Sequence, residues 1–562
     1  MHTTGIDLLL LTVFWIISLI VVNPSGNFPL NDDWSFALTV KNLIENGNYH
    51  PTGWASMPLI TNVLWGYLFT IPTGFSYDAL RLSTLTMSLL GIWGTYFLAR
   101  ELYLPRFFGF ISAWVLAFNP IYYALSNTFM TDVPFTALII MATLFFVRYL
   151  KHGGNGSLII ATTIIVVATL SRQLAISIPI GFCVALILKK GISRQSILLG
   201  LTPLILSIGA LLIFQQWLET SGKLPALYHA MSHELVYALT DIDNLFSSLV
   251  SNTLEALLYL GLFLSPLLLY IMVGIYKIHK RMAIVALVIT TMLIFVVHIV
   301  GHGSFELMPL GKNILMNSGI GPLTLRDTFI LKLNHVPTLP NLYWVLVTLI
   351  SILGAGMLLT SLGFSGITLA KKVKFGETQY KDLASVFLLL IVVVQIAPLV
   401  LVGFFDRYLI PLTALLGLGI ASTHLQMTGT QSRFHLIPVT VLLIAFSYYS
   451  ICATRDYITW NRIRWAALDD LITNRHVEPK DIDGGFEFNG SHFYDPKYSH
   501  RPGKSWWWVQ DDKFLIAFGP IAGYEVVNKY SYKRWLLNEV SHIFVLKKEQ
   551  TIKRPTNALL VL

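Results

Sequence analysis

Charge is what this chain has least of. Of its 562 residues only 12% are Asp, Glu, Lys or Arg, while 54% are hydrophobic. A soluble globular domain carries roughly 25% charge, so that class is excluded. With a mean hydropathy of +0.64 the composition is that of an integral membrane protein. Cysteine is nearly absent as well. The two present, Cys183 and Cys452, lie in or at the end of apolar runs, which excludes a disulfide framework and any zinc spacing. The net charge of +9 would by itself suit nucleic acid, but the positions of the charges follow membrane topology, so no nucleic-acid partner is expected. No Lys or Arg precedes the first apolar run, residues 6–22, and no small-residue cleavage site follows it. It reads as a retained first span and not a cleaved signal.

Apolar stretches recur up to about residue 453, near the ~20 residues that a membrane span needs. The candidate spans are 6–22, 78–99, 107–125, 133–149, 157–170, 174–188, 196–217, 252–276, 282–300, 341–363, 383–404, 408–426 and 435–453. With the N-terminus inside, the short inner connections hold fifteen Lys and Arg, among them "KIHKR" and "KKVK", and the much longer outer loops hold eight. Positive charge marks the cytoplasmic side, so this orientation is the expected one. Residues 454–562 are a different material, rich in both signs of charge. "YITWNRIRWAALDDLI" has helical spacing, with Ile458, Trp465, Leu468 and Ile472 on or near one face, and "FLIAFG" and "HIFVLKK" read as short buried strands. The fold class is therefore a polytopic α-helical membrane protein of about 13 transmembrane helices over residues 1–453, with a small C-terminal extracytoplasmic α/β domain over 454–562. The long loops 23–77, 218–251 and 301–340 all fall outside, so the work of the protein is expected there. The last of them mixes Gly with apolar residues and is expected to act as a lid that orders on a lipidic substrate.

Four polar motifs sit at outer rims of these spans. In "FPLNDDWSFA", Asp32 and Asp33 open a predicted amphipathic helix over 33–46, closed by Gly47. One acid there can be an N-cap, but capping does not account for Asn31, Asp32 and Asp33 together. In "SNTFMTDVPF", Asp132 precedes the fourth span, where an N-cap with Pro just inside is the plain alternative. "LSRQLA" puts Arg172 and Gln173 between two short apolar stretches, where an arginine is costly unless it meets an anion. "FFDRYLIPL" carries Asp406, Arg407 and Tyr408 between two spans; an internal Asp–Arg pair is the alternative. Acids and arginines at an apolar rim suit a phosphorylated lipid and a hydroxyl acceptor.

These motifs, in this order, resemble the GT-C membrane glycosyltransferases, with the dolichyl-phosphate-mannose protein mannosyltransferases and the aminoarabinose transferases as the nearest relatives. The resemblance covers roughly residues 1–430. It implies a sugar transferase using a polyprenyl-phosphate-linked donor, with the active site at the acidic pair of the first outer loop. That pair is often Asp-Glu in the family and is Asp32-Asp33 here. Asp32 is then the expected catalytic base, Asp33 its partner, and Asp132 the matching acid before the fourth span. The implied acceptor is an envelope glycolipid, glycan or protein, and the implied location a bacterial inner or cell membrane. "WWWVQ" differs from the signature of oligosaccharyltransferases, which disfavours transfer of a whole glycan to Asn.

A lipid phosphate is a good leaving group, so a general acid is not required. Cations that stabilise the departing phosphate and a base for the acceptor hydroxyl are what help. Arg172, Gln173, Arg407 and Arg326 are the expected phosphate-binding residues, with Asp406, Tyr408 and His302 in support. No cofactor follows from the sequence. A divalent cation, if one binds, would use Asp32 and Asp33 with His50 or His302. The rival class is a secondary transporter or a flippase of lipid-linked sugars. A transporter would place its ionisable groups near the bilayer midplane, in repeated halves, and neither feature is present in the sequence.

Overall fold

A computed structural model describes residues 2–228, 240, 242–311, 313–374, 379–425, 436–499, 504–505 and 507–549. The chain forms two compact units. The first comprises residues Met1–Pro322 and Thr338–Ile458, the second Leu323–Pro337 and Thr459–Leu562. The segment 323–337 thus joins the second unit although it lies inside the expected loop 301–340.

The first unit is helical throughout. Its helices are α1 (His2–Val22), α2 (Asp33–Asn46), α3 (Ile60–Thr70), α4 (Tyr77–Glu101), α5 (Arg106–Ala117), α6 (Pro120–Ser126), α7 (Asp132–His152) and α8 (Asn155–Thr169). Then follow α9 (Ser177–Lys190), α10 (Arg194–Thr220), α11 (Ile242–His302), α12 (Asn341–Lys374), α13 (Tyr380–Val402), α14 (Ile410–His424) and α15 (Leu436–Asp469). Twelve of the thirteen expected spans each fall on one of these helices, the span 107–125 falls on two, α5 and α6, and residues 426 and 435, at the ends of two spans, lie outside the described residues. Among the described residues nine helices are long and apolar enough to cross a membrane, or ten if α5 and α6, bent by 62°, make one span. The difference from thirteen has structural causes. α11 joins two expected spans in one run broken only at Lys280, while α8 and α14 are 15 residues each. α11 and α12 pack closely. A Cβ on Gly261 would lie 2.3 Å from the Ala355 nitrogen, so only glycine allows that approach.

The bundle has two polar rims. At one, Arg106 pairs with Asp7 at 2.6 Å and Lys151 with Glu101 at 3.0 Å. The Tyr380 hydroxyl donates to the Val147 carbonyl, and Lys372 pairs with Asp382. Arg106, Lys151 and Lys372 belong to the basic set that the sequence reading assigned to inner connections. The motif residues meet at the opposite rim.

In the second unit, the end of α15 and a short helix α16 (Phe486–Phe493) accompany a four-stranded sheet. Its strands are β3 (Ile482–Asp483), β4 (Phe514–Ala517), β5 (Tyr524–Arg534) and β6 (Glu539–Lys548), in the order β3-β4-β6-β5, with β3 and β4 parallel and the other pairs antiparallel. Leu515, Ala517 and Leu546 form its fully buried core. The helix expected over "YITWNRIRWAALDDLI" is the continuation of the last apolar helix, not a separate element.

Candidate active site

The first loop is fixed before its acids can act. Arg81, 2% exposed near the start of α4, donates to the carbonyls of Pro24 and Gly26 and to that of Phe28. Its guanidinium also lies 4.7 Å from the Phe28 ring. This clamp ends the extended segment after α1 and delivers the chain to α2. Gly47, at φ 63, closes α2, its N–H donating to the Leu43 carbonyl, because the left-handed conformation of a helix C-terminus suits glycine.

The two neighbouring acids then do different things. Asp33 is wholly buried. Its Oδ1 accepts from the Leu30 N–H at 2.6 Å and its Oδ2 from the Phe129 N–H at 3.0 Å. It ties the first loop to the segment leading into α7. Asp32 stands at the N-cap position of α2 but makes no capping bond. Its Oδ1 accepts from Trp54 Nε1 at 2.9 Å, its Oδ2 from Arg407 Nη2 at 3.1 Å, and its side chain is 18% exposed. Of the pair, Asp32 is the one with an accessible carboxylate.

Asp132 is the first residue of α7 and does not cap it either; the cap position is Thr131. Its carboxylate is 2.9 Å from Arg172 Nη2. Arg172 in turn donates from Nε and Nη2 to the Thr131 hydroxyl at 2.9 and 2.7 Å. The Tyr408 ring lies beside both guanidiniums, 5.5 Å from Arg172 and 5.6 Å from Arg407. The arrangement is thus two acid–arginine pairs whose guanidiniums both lie beside one aromatic ring.

Among the described residues neither Asp132 carboxylate oxygen has a hydrogen-bond partner, for all its closeness to Arg172, and Arg407 is under-satisfied too. It is buried, and its Nε and Nη1 have no hydrogen-bond partner. Burial opposes its charge, but Asp32, Asp132 and Tyr408 more than offset that and hold its pKa above the ordinary value. A buried guanidinium with two idle donors is costly and calls for an anionic partner.

Asp406 is not the partner of Arg407. It is wholly buried, and its carboxylate accepts from the N–H groups of Ile314 and Leu315, the latter at 2.8 Å. Burial pushes it up to about 6 against the pull of those amides. It anchors a two-stranded hairpin, β1 (Leu315–Met316) with β2 (Gly319–Ile320). The hairpin is also held by the Tyr449 hydroxyl on the Gly319 carbonyl at 3.0 Å and by the Leu339 N–H on the Asn317 carbonyl at 2.9 Å. This part of the expected lid is thus tethered at both strands. Lys312 of the same loop lies outside the described residues.

Three expected site residues lie elsewhere. Arg326 is in the second unit, 2.9 Å from Asp512 and 3.9 Å from Asp483, so its guanidinium is committed to carboxylates. His302, at the end of α11, bonds to the His298 carbonyl at 3.0 Å. His50 is exposed. Among the described residues no group of three or more His, Cys, Asp or Glu has the geometry to hold a metal ion, so the cation ligand set proposed from sequence is not assembled. Gln173 opens the single turn Gln173–Ile176 that directly follows Arg172. Trp54 and Arg81 are the residues that sequence reasoning missed. A tryptophan in a loop and an arginine near the start of an apolar helix each look like membrane-interface anchors, and only the contacts reveal otherwise.

The fold is that of a polytopic helical membrane protein with a small C-terminal sheet domain, and one rim gathers two acids and two arginines. Residues 57–218 match the family model described as dolichyl-phosphate-mannose-protein mannosyltransferase. Asp132, Arg172 and Gln173 lie within the match; Asp32, Asp33 and Arg407 lie outside it. Among solved structures the chain is similar to ArnT from Cupriavidus metallidurans. The structure bound to undecaprenyl phosphate shares 13% identity, over 83% of this chain and 81% of that one, with a TM-score of 0.35. The apo structure shares 12%, over 85% and 82%, with a TM-score of 0.36. No curated protein matches the sequence.

Proposed function

We propose that this protein transfers a sugar from a polyprenyl-phosphate donor to an extracytoplasmic acceptor, which is an envelope glycolipid, glycan or protein, with inversion at the anomeric carbon. The observation that carries the reading is the rim cluster: Asp32 on Arg407, Asp132 on Arg172, and two Arg407 donors left without a partner. The donor phosphate lies against Arg407 Nε and Nη1 and near Arg172. An anion there competes with Asp32 for Arg407 and weakens their ion pair. Asp32 then accepts the proton of the acceptor hydroxyl as its oxygen bonds to the anomeric carbon. The bond from that carbon to the phosphate oxygen breaks, and the phosphate leaves with the electron pair, its charge met by the two arginines. Trp54 holds the other Asp32 oxygen, and Asp33 holds the loop.

The active site and the second unit are assigned to the extracytoplasmic side, which follows from the charge bias of the connecting loops. The candidate site's buried ionisable groups lie at a rim, whereas a carrier's coupling groups sit at mid-membrane, which favours a transferase over a carrier. Membranes containing the protein are given a labelled polyprenyl-phosphate sugar. Label passing to an acceptor supports the reading; label that crosses the bilayer without changing its chemical linkage overturns it in favour of a flippase.

A further inference from the structure

Thr131 stands just before α7, where a hydroxyl usually serves the helix. The N-cap position favours Thr because its side-chain oxygen can accept from a free N–H of the first turn. That bond is not made here. The hydroxyl oxygen, wholly buried, accepts instead from Arg172 Nε at 2.9 Å and from Nη2 at 2.7 Å.

The chain is held on both sides of Arg172. Its backbone is extended, at φ -148 and ψ 135, ahead of the turn Gln173–Ile176. Its N–H donates to the Ala168 carbonyl, and its own carbonyl accepts from the Ala175 N–H. The neighbouring Ser171 hydroxyl donates to Asn62 Oδ1. With the backbone fixed in this way, the two bonds to Thr131 set the direction of the guanidinium.

Beside it stands an acid that does not take it. Asp132 is 1% exposed and 2.9 Å from Arg172 Nη2, yet neither carboxylate oxygen has a hydrogen-bond partner among the described residues. At that distance the failure is one of direction, since the N–H must be aimed at the oxygen. A guanidinium and a carboxylate commonly close into a two-bond fork. Arg106 closes on Asp7 in this way at the opposite rim, Nε at 2.6 Å and Nη2 at 2.7 Å. The same edge of Arg172, Nε with Nη2, is the one that Thr131 occupies.

We infer that Thr131 is a positioning residue of the rim site: it competes with Asp132 for Arg172 and keeps acid and arginine from closing on each other. The inference rests on the donor class proposed above. Held in this way, Arg172 keeps Nη1, which donates to none of the described residues, for the donor phosphate. A closed fork would draw the guanidinium onto Asp132 and neutralise it.

The test uses the full chain in lipid nanodiscs. Thr131→Val keeps the shape and removes the hydroxyl, so the fork with Asp132 closes. Binding of undecaprenyl phosphate should then weaken by at least about tenfold. Thr131→Ser keeps the hydroxyl and should bind like the wild type. Adding Asp132→Asn to Thr131→Val should return the affinity to that of Asp132→Asn alone, because a neutral amide holds a guanidinium less well than a carboxylate does. Thermal unfolding gives a readout that needs no ligand: Asp132→Asn should lower the melting temperature more in the Thr131→Val background than in the wild type. Thr131→Ala is measured in parallel, so that misfolding of one variant does not decide the matter. Wild-type affinity in folded Thr131→Val, a Thr131→Ser protein as weak as Thr131→Val, no recovery in the double variant, or equal effects of Asp132→Asn in both backgrounds overturns the inference. A wild-type protein that binds no polyprenyl phosphate yet shows the unequal stability effect would instead overturn the proposed function and leave the role of Thr131 standing.

Discussion

Asp32→Asn separates catalysis from structure at this rim. If Asp32 only capped α2, Asn would replace it well, and the loss of a cap costs just ~0.5–2 kcal/mol. The structure removes that reading in advance, because the Asp32 side chain makes no capping bond. What the substitution does remove is the charge facing Arg407 at 3.1 Å. Breaking a buried ion pair from one side costs ~3–5 kcal/mol. Here Asp32 is partly exposed, so the stability loss should lie below that range. The Asn carbonyl can still accept from Trp54, which preserves the loop. Loss of a general base lowers the rate by roughly 10²–10⁴, equivalent to about 3–5 kcal/mol in the barrier. The assay is single-turnover transfer of labelled sugar from a polyprenyl-phosphate donor in proteoliposomes, beside thermal unfolding of the same preparation. The expected result is a folded variant with modestly lowered melting temperature, normal or tighter donor binding, and transfer reduced by at least about a hundredfold. Tighter binding is expected because Arg407 has lost its competitor. A folded variant that transfers at the wild-type rate refutes the assignment of Asp32 as base.

Arg172→Ala and Arg407→Ala should each weaken donor binding by ~1.5–3 kcal/mol, the range for a hydrogen bond to a charged group; unchanged affinity in both, measured by competition with a polyprenyl phosphate, removes the phosphate site. The β1–β2 hairpin should show the same hydrogen-exchange protection with and without donor, since Asp406 and Tyr449 already hold it; added protection on binding would restore the lid. Lys529→Cys, on an exposed position of β5, should react with a membrane-impermeant maleimide added outside intact cells, while the buried Cys183 and Cys452 stay silent; reaction only after lysis would invert the topology. Asp512 gives the pH test. Burial pushes its carboxyl up, but Lys548, Arg326 and Tyr524 reverse this and hold it at about 2. A carboxylate depressed in the folded state adds stability above its unfolded value of ~3.9, and loses it as pH falls towards the folded value. Asp512→Asn should therefore destabilise the second unit by about 2 kcal/mol at neutral pH, read as lost protection of β6 amides. The gap from wild type should narrow below pH ~4, and a gap that is constant with pH would show that the ion pairs are not its source.

Composition and hydrophobic periodicity were enough to determine that this chain is a membrane protein and where its apolar helices run, because burial in lipid demands long uninterrupted hydrocarbon. They also determined the bounds of α2, since a left-handed glycine and a 3.6-residue apolar spacing are local properties. The motif residues Asp32, Asp132, Arg172 and Arg407 were legible as misplaced charge at the ends of apolar runs. Which charge meets which was not. "DR" at 406–407 reads as a neighbouring pair, yet Asp406 turns to the hairpin amides and Arg407 crosses to Asp32, 375 residues away in sequence. "DD" at 32–33 reads as a base and its partner working together, yet Asp33 is spent on backbone amides and Asp32 is not. Arg326 resembles the other loop arginines by sequence and is instead held between carboxylates of the second unit. Partner choice of this kind depends on contacts between distant segments, and a charge buried at such a contact takes whichever partner the packed backbone presents. Only the tertiary structure decides that.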